Sequence, residues 1–311
     1  MSATSGQEGG QQDWKAQPER ASAFWLGLLL WIATHLGRGF TRLLLWPIVL
    51  FFLLTGPRAR RASRAYLGRA LGRAPRAGEV LRHFHVFAAC ALDRVLILCG
   101  RARRLEVGVR MPEEVARAVR GGSGCIMLVS HFGSFEVLRQ LGGGAHAIPL
   151  RIVLDRSHGA RFTGLLERLN PDFAAAVIDA GQRGPELVLA LREALDQGYS
   201  VGIMADRVQG GESSLGVELL GGEVRLPAGP WVLASVLHAP VIAASGIYLG
   251  GNRYEARFAL ISPGFKASRA ERPALLQQLA QRYAAHLQQQ LLEAPYNWFN
   301  FYPYWPGDQA R

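Results

Sequence analysis

Apolar residues are unevenly distributed along this chain. Residues 1–22 are polar, rich in Gln, Ser and Gly, and lack an apolar period, which predicts a disordered tail. Hydrophobicity is then high over residues 24–54, in two runs, FWLGLLLWIA (24–33) and LLLWPIVLFFLL (43–54). Gly37, Arg38, Gly39 and Arg42 separate them. Residues 79–99 carry a helical period that is apolar on most sides. After Gly121-Gly122-Ser123-Gly124, CIMLVS (125–130) reads as a buried strand. Further β-prone runs follow at 147–154, 174–179 and 200–205, with helical patterns at 134–141, 158–169 and 184–197. Residues 216–226 predict a hairpin turning at Gly221-Gly222. A helix at 229–238, strands at 240–249 and 253–261, and a long helix at 272–293 complete the pattern. Such alternation predicts an α/β fold, a mostly parallel central sheet flanked by helices, with an N-terminal apolar membrane-anchoring helical segment. The expected organisation is a tail over 1–22, an anchor over 23–57 and one α/β domain over 58–311.

The anchor expectation rests on length and charge. Neither run reaches the ~18 apolar residues that span a bilayer. Joined, they would hold Arg38 near the membrane centre at a cost of roughly 3 kcal/mol, and Pro47 would kink the second helix. A cleaved signal peptide does not fit, because the apolar run begins late and Thr55-Gly56-Pro57 and a basic run follow it. Arg58, Arg60, Arg61, Arg64, Arg69, Arg73 and Arg76 precede Glu79, the first acid after the anchor. Arginines in this position bind anionic headgroups and mark the cytoplasmic side of the inner membrane, while Trp25, Trp31 and Trp46 suit the interface. The competing reading is a buried soluble helix beside a solvated Arg face. The net charge is +11, and only Lys15 and Lys266 among the basic residues are lysines. Nucleic acid is not the expected partner, since the charge abuts an apolar segment and carries no interleaved aromatic motif. Apolar residues at 49% and charged residues at 19% exclude bulk disorder. Cys90, Cys99 and Cys125 form neither a disulfide framework nor a zinc spacing, so no metal site is expected.

The candidate chemistry follows the strand at 125–130, which runs into Ser130-His131-Phe132-Gly133-Ser134-Phe135-Glu136. Ligands of open α/β sheets bind beyond the carboxyl ends of the strands, where His131 falls. Glu136 is five positions on, about 140° away around a single helix, so the two meet only if the chain turns first. Gly133 allows that turn. A carboxylate on one imidazole nitrogen fixes the tautomer, and the other nitrogen can then deprotonate a hydroxyl directly. By composition alone ~0.6 such His–acid pairs are expected, so position after a buried strand carries the weight. The competing reading is a structural His capping a helix. No G-x-S-x-G elbow, P-loop, G-x-G-x-x-G fingerprint or H-E-x-x-H occurs, and His83/His85 reads as packing.

Over roughly residues 24–305 the chain resembles the bacterial lipid A biosynthesis (lauroyl/myristoyl) acyltransferases, within the wider glycerolipid acyltransferase superfamily. Four features carry the resemblance. They are the apolar segment with its Arg-rich sequel, His131-FGSF-Glu136 as an H-x4-[D/E] motif, GIMADR (202–207) with VELLGGEVRLPAGP (217–230), and the aromatic block PYNWFNFYPYW (295–305). The resemblance implies acyl transfer from an acyl carrier protein or coenzyme A thioester, as co-substrate rather than cofactor, to a hydroxyl of a lipid acceptor. It implies His131 as general base and Glu136 as its partner. It points to Arg156 and Arg207, at strand ends, as phosphate or oxyanion ligands, with Asp206 among the substrate-binding group or orienting Arg207. A strand-end Arg placed where charge develops suits that role; the competing reading for each is a surface ion pair. The terminal W-F-N-F-Y-P-Y-W departs from the W-x-H-R-R type of lipid A enzymes and is more like branches that acylate other lipids, including aryl-polyene and related glycolipids. The F-P-E-G-T-R-type block of glycerol-phosphate acyltransferases is absent, which argues against a lysophosphatidate acceptor.

Two other classes compete with the transferase. A non-catalytic lipid-binding scaffold of the same fold would tolerate loss of His131. A thioester hydrolase would share the base but release free fatty acid.

Overall fold

A computed structural model describes residues 37–101, 105–139, 148–154, 175–181, 184–209 and 211–308. The expected tail, the first apolar run, the helix at 158–169 and Arg156 lie outside these residues. The described chain opens with helix α1 (Gly37–Thr55), which buries Thr41, Leu45 and Val49, one residue per turn. This stripe packs against helix α3 (Ala77–Leu98). The opposite side of α1 leaves Leu43, Trp46, Leu50, Phe51 and Leu54 exposed. The second apolar run is thus a two-sided helix. A break at Gly56, where a Cβ would meet the Phe52 carbonyl oxygen at 2.7 Å, leads to Pro57 at the start of helix α2 (Pro57–Leu71). Among the described residues no single helix is long and apolar enough to cross a membrane. α1 and α2 pass that test only together, and they are bent by 96°.

Seven strands follow in one sheet: β1 (Glu106–Arg110), β2 (Ile126–Val129), β3 (Leu150–Leu154), β4 (Val177–Asp179), β5 (Ser200–Met204), β8 (Val241–Gly250) and β9 (Arg253–Ser262). Their spatial order is β1-β9-β8-β2-β5-β3-β4. β8, β2, β5, β3 and β4 are parallel; β9 is antiparallel to β8 and carries β1 parallel to itself. The expected mostly parallel sheet is present. β2 is buried throughout, and alternate residues feed opposite faces: Ile126 and Leu128 join one core cluster, Met127 and Val129 another. Helices α6 (Gly184–Asp196), α7 (Gly229–Leu237) and α8 (Arg272–Glu293) contribute Leu191, Trp231 and Leu287 to the first. Helix α4 (Glu113–Arg120) contributes Val115 to the second. β6 (Ser214–Leu219) and β7 (Gly222–Pro227) form the expected hairpin, with Leu220 and Gly221 at positive φ in the turn. β1 and α4 are not evident in the apolar pattern. The strand is five residues long, at a sheet edge, with no position fully buried.

Candidate active site

The register of the two central strands builds the site. β2 and β5 are parallel neighbours with Val129 beside Met204, and Ala205 N–H continues the ladder to the Val129 carbonyl at 2.9 Å. Two residues further along each strand stand His131 and Asp206. The His131 imidazole Nδ1 lies 2.9 Å from Asp206 Oδ1, and the His131 backbone N–H donates to Asp206 Oδ2 at 3.0 Å. Asp206 is fully buried, while the His131 side chain is 37% exposed and so open to a reactant. Burial works against the Asp206 carboxylate. The charge of His131, its hydrogen bonds and Arg207 outweigh burial and hold Asp206 well below the usual carboxylate range. An ionised carboxylate only accepts, so Nδ1 carries the proton and Nε2 is left as the basic nitrogen. Burial, aided by Arg207 and Arg94 and opposed by Asp206, depresses the His131 pKa, which keeps the imidazole neutral at neutral pH.

Where the H-x4-E spacing suggests a His131–Glu136 pair, the structure pairs His131 with Asp206. The reason is local. Gly133 has φ +69°, and a Cβ there would lie 1.9 Å from the Gly246 carbonyl oxygen. Gly133 and Gly246 form a parallel bridge, and Ser134 N–H donates to Gly246 O at 2.8 Å, so the loop is drawn against β8. Glu136 then opens the four-residue helix α5 (Glu136–Arg139). One of its oxygens lies 2.6 Å from Arg94 Nε of α3, and the other accepts from Ser134 Oγ at 3.1 Å.

The aromatic tail closes the other side. His131 accepts at its carbonyl from Phe299 N–H at 2.8 Å, and Phe132 bridges Trp298. The buried Trp298 indole donates to Asp206 Oδ2 at 3.1 Å, and Tyr304 OH donates to the Asp206 carbonyl at 2.6 Å. Arg207 donates from Nη2 to Phe299 O at 2.7 Å and lies over the Tyr302 ring at 5.1 Å. His83 of α3 holds the Trp298 carbonyl through Nε2 at 2.7 Å and meets Ser63 of α2 through Nδ1 at 2.8 Å. Burial lowers the His83 pKa to about 4, so it too is neutral. His83, read from the sequence as packing, and Trp298 and Tyr304, not singled out there, are the groups that hold this arrangement. Each bonds across a long stretch of chain, and only the concentration of aromatics at 295–305 hinted at the two in the tail. His85 stacks on Trp46 at 4.3 Å, in agreement with a packing role. Of the residues expected at the site, His131, Asp206 and Arg207 converge, Glu136 faces Arg94, and Arg156 is outside the described chain. Among the described residues no group of three or more His, Cys, Asp or Glu is placed to hold a metal ion.

The arrangement supplies a neutral imidazole, steadied by a buried carboxylate, at the rim of a parallel sheet. It can take a proton from a hydroxyl and return it to a leaving group. The chain is similar to the 1-acyl-sn-glycerophosphate acyltransferase of Thermotoga maritima at 13% identity, over 78% of this chain and 95% of that one, with a TM-score of 0.34. No curated protein matches it. The model of the bacterial lipid A biosynthesis acyltransferases matches residues 14–306, and the chain, an acyltransferase, therefore belongs to that family.

Proposed function

We propose that this protein is a membrane-bound O-acyltransferase. It moves a fatty acyl chain from an acyl carrier protein or coenzyme A thioester to a hydroxyl of a lipid or glycolipid acceptor. The acceptor is a lipid A-type or related outer-membrane lipid, such as those of aryl-polyene pathways. Residues 23–57 anchor the chain at the inner membrane, and residues 58–311 work on its cytoplasmic side. The observation that carries this reading is the His131–Asp206 contact at the ends of adjacent parallel strands, with the His131 side chain partly exposed. Beside it, exposed Phe87 packs on Phe299 and Phe301, with ring centroids 5.2 and 5.3 Å away, and offers an apolar approach for a lipid.

In this mechanism His131 Nε2 takes the acceptor hydroxyl proton as the alcohol oxygen bonds to the thioester carbonyl carbon. The carbonyl π pair moves to oxygen. The intermediate collapses, the C–S bond breaks, and the thiolate leaves with the proton returned from Nε2. Asp206 stays ionised and steadies the imidazolium. Substituting His131→Ala should lower transfer at least about 1,000-fold while the protein stays folded and membrane-bound. Mass spectrometry of lipids from cells with and without each form reads the acylated product. Full product from the variant would sink the mechanism, and free fatty acid in place of acylated lipid would identify a hydrolase.

A further inference from the structure

The pairing of two central strands is interrupted beside the loop of His131. β2 and β8 run in parallel register from Ile126–Val241 to Leu128–Ala243, where the ladder stops. They meet again at a single bridge, Gly133 with Gly246. Residues 129–132 therefore cover the distance that 244–245 cover on the other strand, and the longer stretch includes His131. The outer sides of both strands stay paired: β2 with β5 as far as Val129–Met204, and β8 with β9 through Ser245–Arg257. The break is confined to the seam between β2 and β8. A cavity of about 10 Å³ lies there, lined by Ser130 and Ser245 from the two strands and by Tyr283, His286 and Gln290 from α8.

The lining is polar for a seam between buried strands. Ser245 stands two residues after Ala243 and shares its face of β8, toward α8. Ser245 is 5% exposed, and its hydroxyl is buried with no hydrogen-bond partner. An unpaired buried hydroxyl costs free energy that a bound polar group would recover. Gln290, also 5% exposed, approaches His286 Nε2 with its amide nitrogen at 2.6 Å. An amide nitrogen only donates, so the Gln290 carbonyl oxygen is left to accept from elsewhere. Tyr283 and Ser130 are hydrogen-bonded to each other and bring two more hydroxyls to the cavity. A water molecule needs roughly 10–15 Å³ and two to four polar partners, and apolar cavities stay dry. We infer that the seam is a binding site for one buried water, which bonds the Ser245 hydroxyl and the Gln290 carbonyl oxygen and so joins β8 to α8 where the ladder to β2 has stopped. The space is too small for a phosphate, a carboxylate or an acyl chain. The Gly246 carbonyl, one residue beyond Ser245, receives Ser134 N–H at 2.8 Å, so the water steadies the strand against which the loop of His131 is drawn. The inference stands apart from the acyl-transfer reading, since a scaffold or a hydrolase of this fold would hold the same water.

The direct test is a high-resolution crystal structure of the full-length protein in detergent. It should show one peak of water density within hydrogen-bond distance of both Ser245 Oγ and Gln290 Oε1. A Ser245 hydroxyl bonded straight to a protein group, with no density in the seam, would overturn the site. A second measurement needs no crystal: urea midpoints of wild type, S245A, Q290M and S245A/Q290M, all full-length in detergent. If the hydroxyl holds a water, S245A leaves that water a partner short and the midpoint falls. If the hydroxyl is unpaired in a dry cavity, S245A removes a buried polar group that had no partner, and the midpoint stays or rises. A midpoint for S245A at or above that of wild type would therefore overturn the inference. The shared water also couples two side chains that share no direct bond, so S245A should lower the midpoint less in the Q290M background than in wild type. Equal losses in both backgrounds would show that no water connects them.

Discussion

The proton on Nδ1 is a consequence of Asp206 being ionised, and the division of work between the two side chains can be separated experimentally. Asp206→Asn preserves size and most hydrogen bonding, but its amide can present a donor to Nδ1 and stabilise the wrong tautomer. If His131 acts as the proposed base, the variant should lose roughly 100- to 10,000-fold in kcat, by analogy with carboxylate-to-amide changes behind known catalytic imidazoles. Asp206 raises the His131 pKa, so its loss should also move the acid limb of the kcat/KM profile to lower pH. Arg94→Gln, which removes one of the charges that depress the His131 pKa, should move it the opposite way. A pH–rate profile for the two variants therefore checks the opposed effects of the two charges, and a shift of the same sign in each would contradict the electrostatic picture. Trp298 and Tyr304 make the arrangement more than a pair. With the His131 backbone N–H, the indole shares Oδ2, and the phenol takes the Asp206 carbonyl.

Between these residues and the whole lie the segments that hold them, and His83 is where three meet: α2 through Ser63, its own helix α3, and the tail through Trp298. Its folded pKa is about 4, below the ordinary ~6.5. The unfolded chain therefore binds more protons between those values, and the stabilisation is complete above about pH 6.5 and declines as pH falls toward 4. The decline from this group is up to about 3 kcal/mol. His131 and His286 are also depressed and act with the same sign, so His83→Gln should flatten the dependence without abolishing it. Urea midpoints in detergent at about pH 5 and about pH 7.5 measure this; an unaltered slope would show that His83 is not buried neutral. Such couplings mark the limit of what the sequence discloses. Apolar runs ending at 130 and 205 place His131 and Asp206 each just past a strand, and the alternation predicts a parallel sheet. Which strands are neighbours is not written in either run, because pairing is decided by packing across the sheet. Glu136 was legible as a nearby acid, but its direction depended on the approach of Gly133 to Gly246, a contact spanning over a hundred residues.

The molecule as a whole links its exposed apolar helix to the candidate site. Arg42 of α1 bonds Asp93 of α3 at 2.9 Å and Tyr248 of β8 at 2.8 Å, and the residue after Asp93 is the one that pairs with Glu136. Helix α1 is thus docked on the α/β body by its inner stripe and presents Trp46, Leu50 and Phe51 outward. Arg58, Arg61 and Arg64 are exposed on the adjoining helix. In the reading proposed above, a helix held this way would lie along a bilayer surface, apolar side down, with arginines meeting anionic headgroups at about 1 kcal/mol each. Each large apolar side chain moved out of water contributes about 2 kcal/mol, so Leu50→Glu with Phe51→Glu should weaken binding by about 100-fold or more. The substitutions spare Leu45 and Val49, so the fold should persist, as circular dichroism would confirm. Residues 24–33 supply another apolar run, and the comparison is therefore made both in the full chain and in a chain lacking residues 1–36. In vesicle flotation the truncated chain should float with anionic vesicles, less so in high salt, and the doubly substituted truncated chain should remain at the bottom. If that doubly substituted chain still floated fully with neutral vesicles in high salt, α1 would not be the surface that holds the enzyme to its lipid.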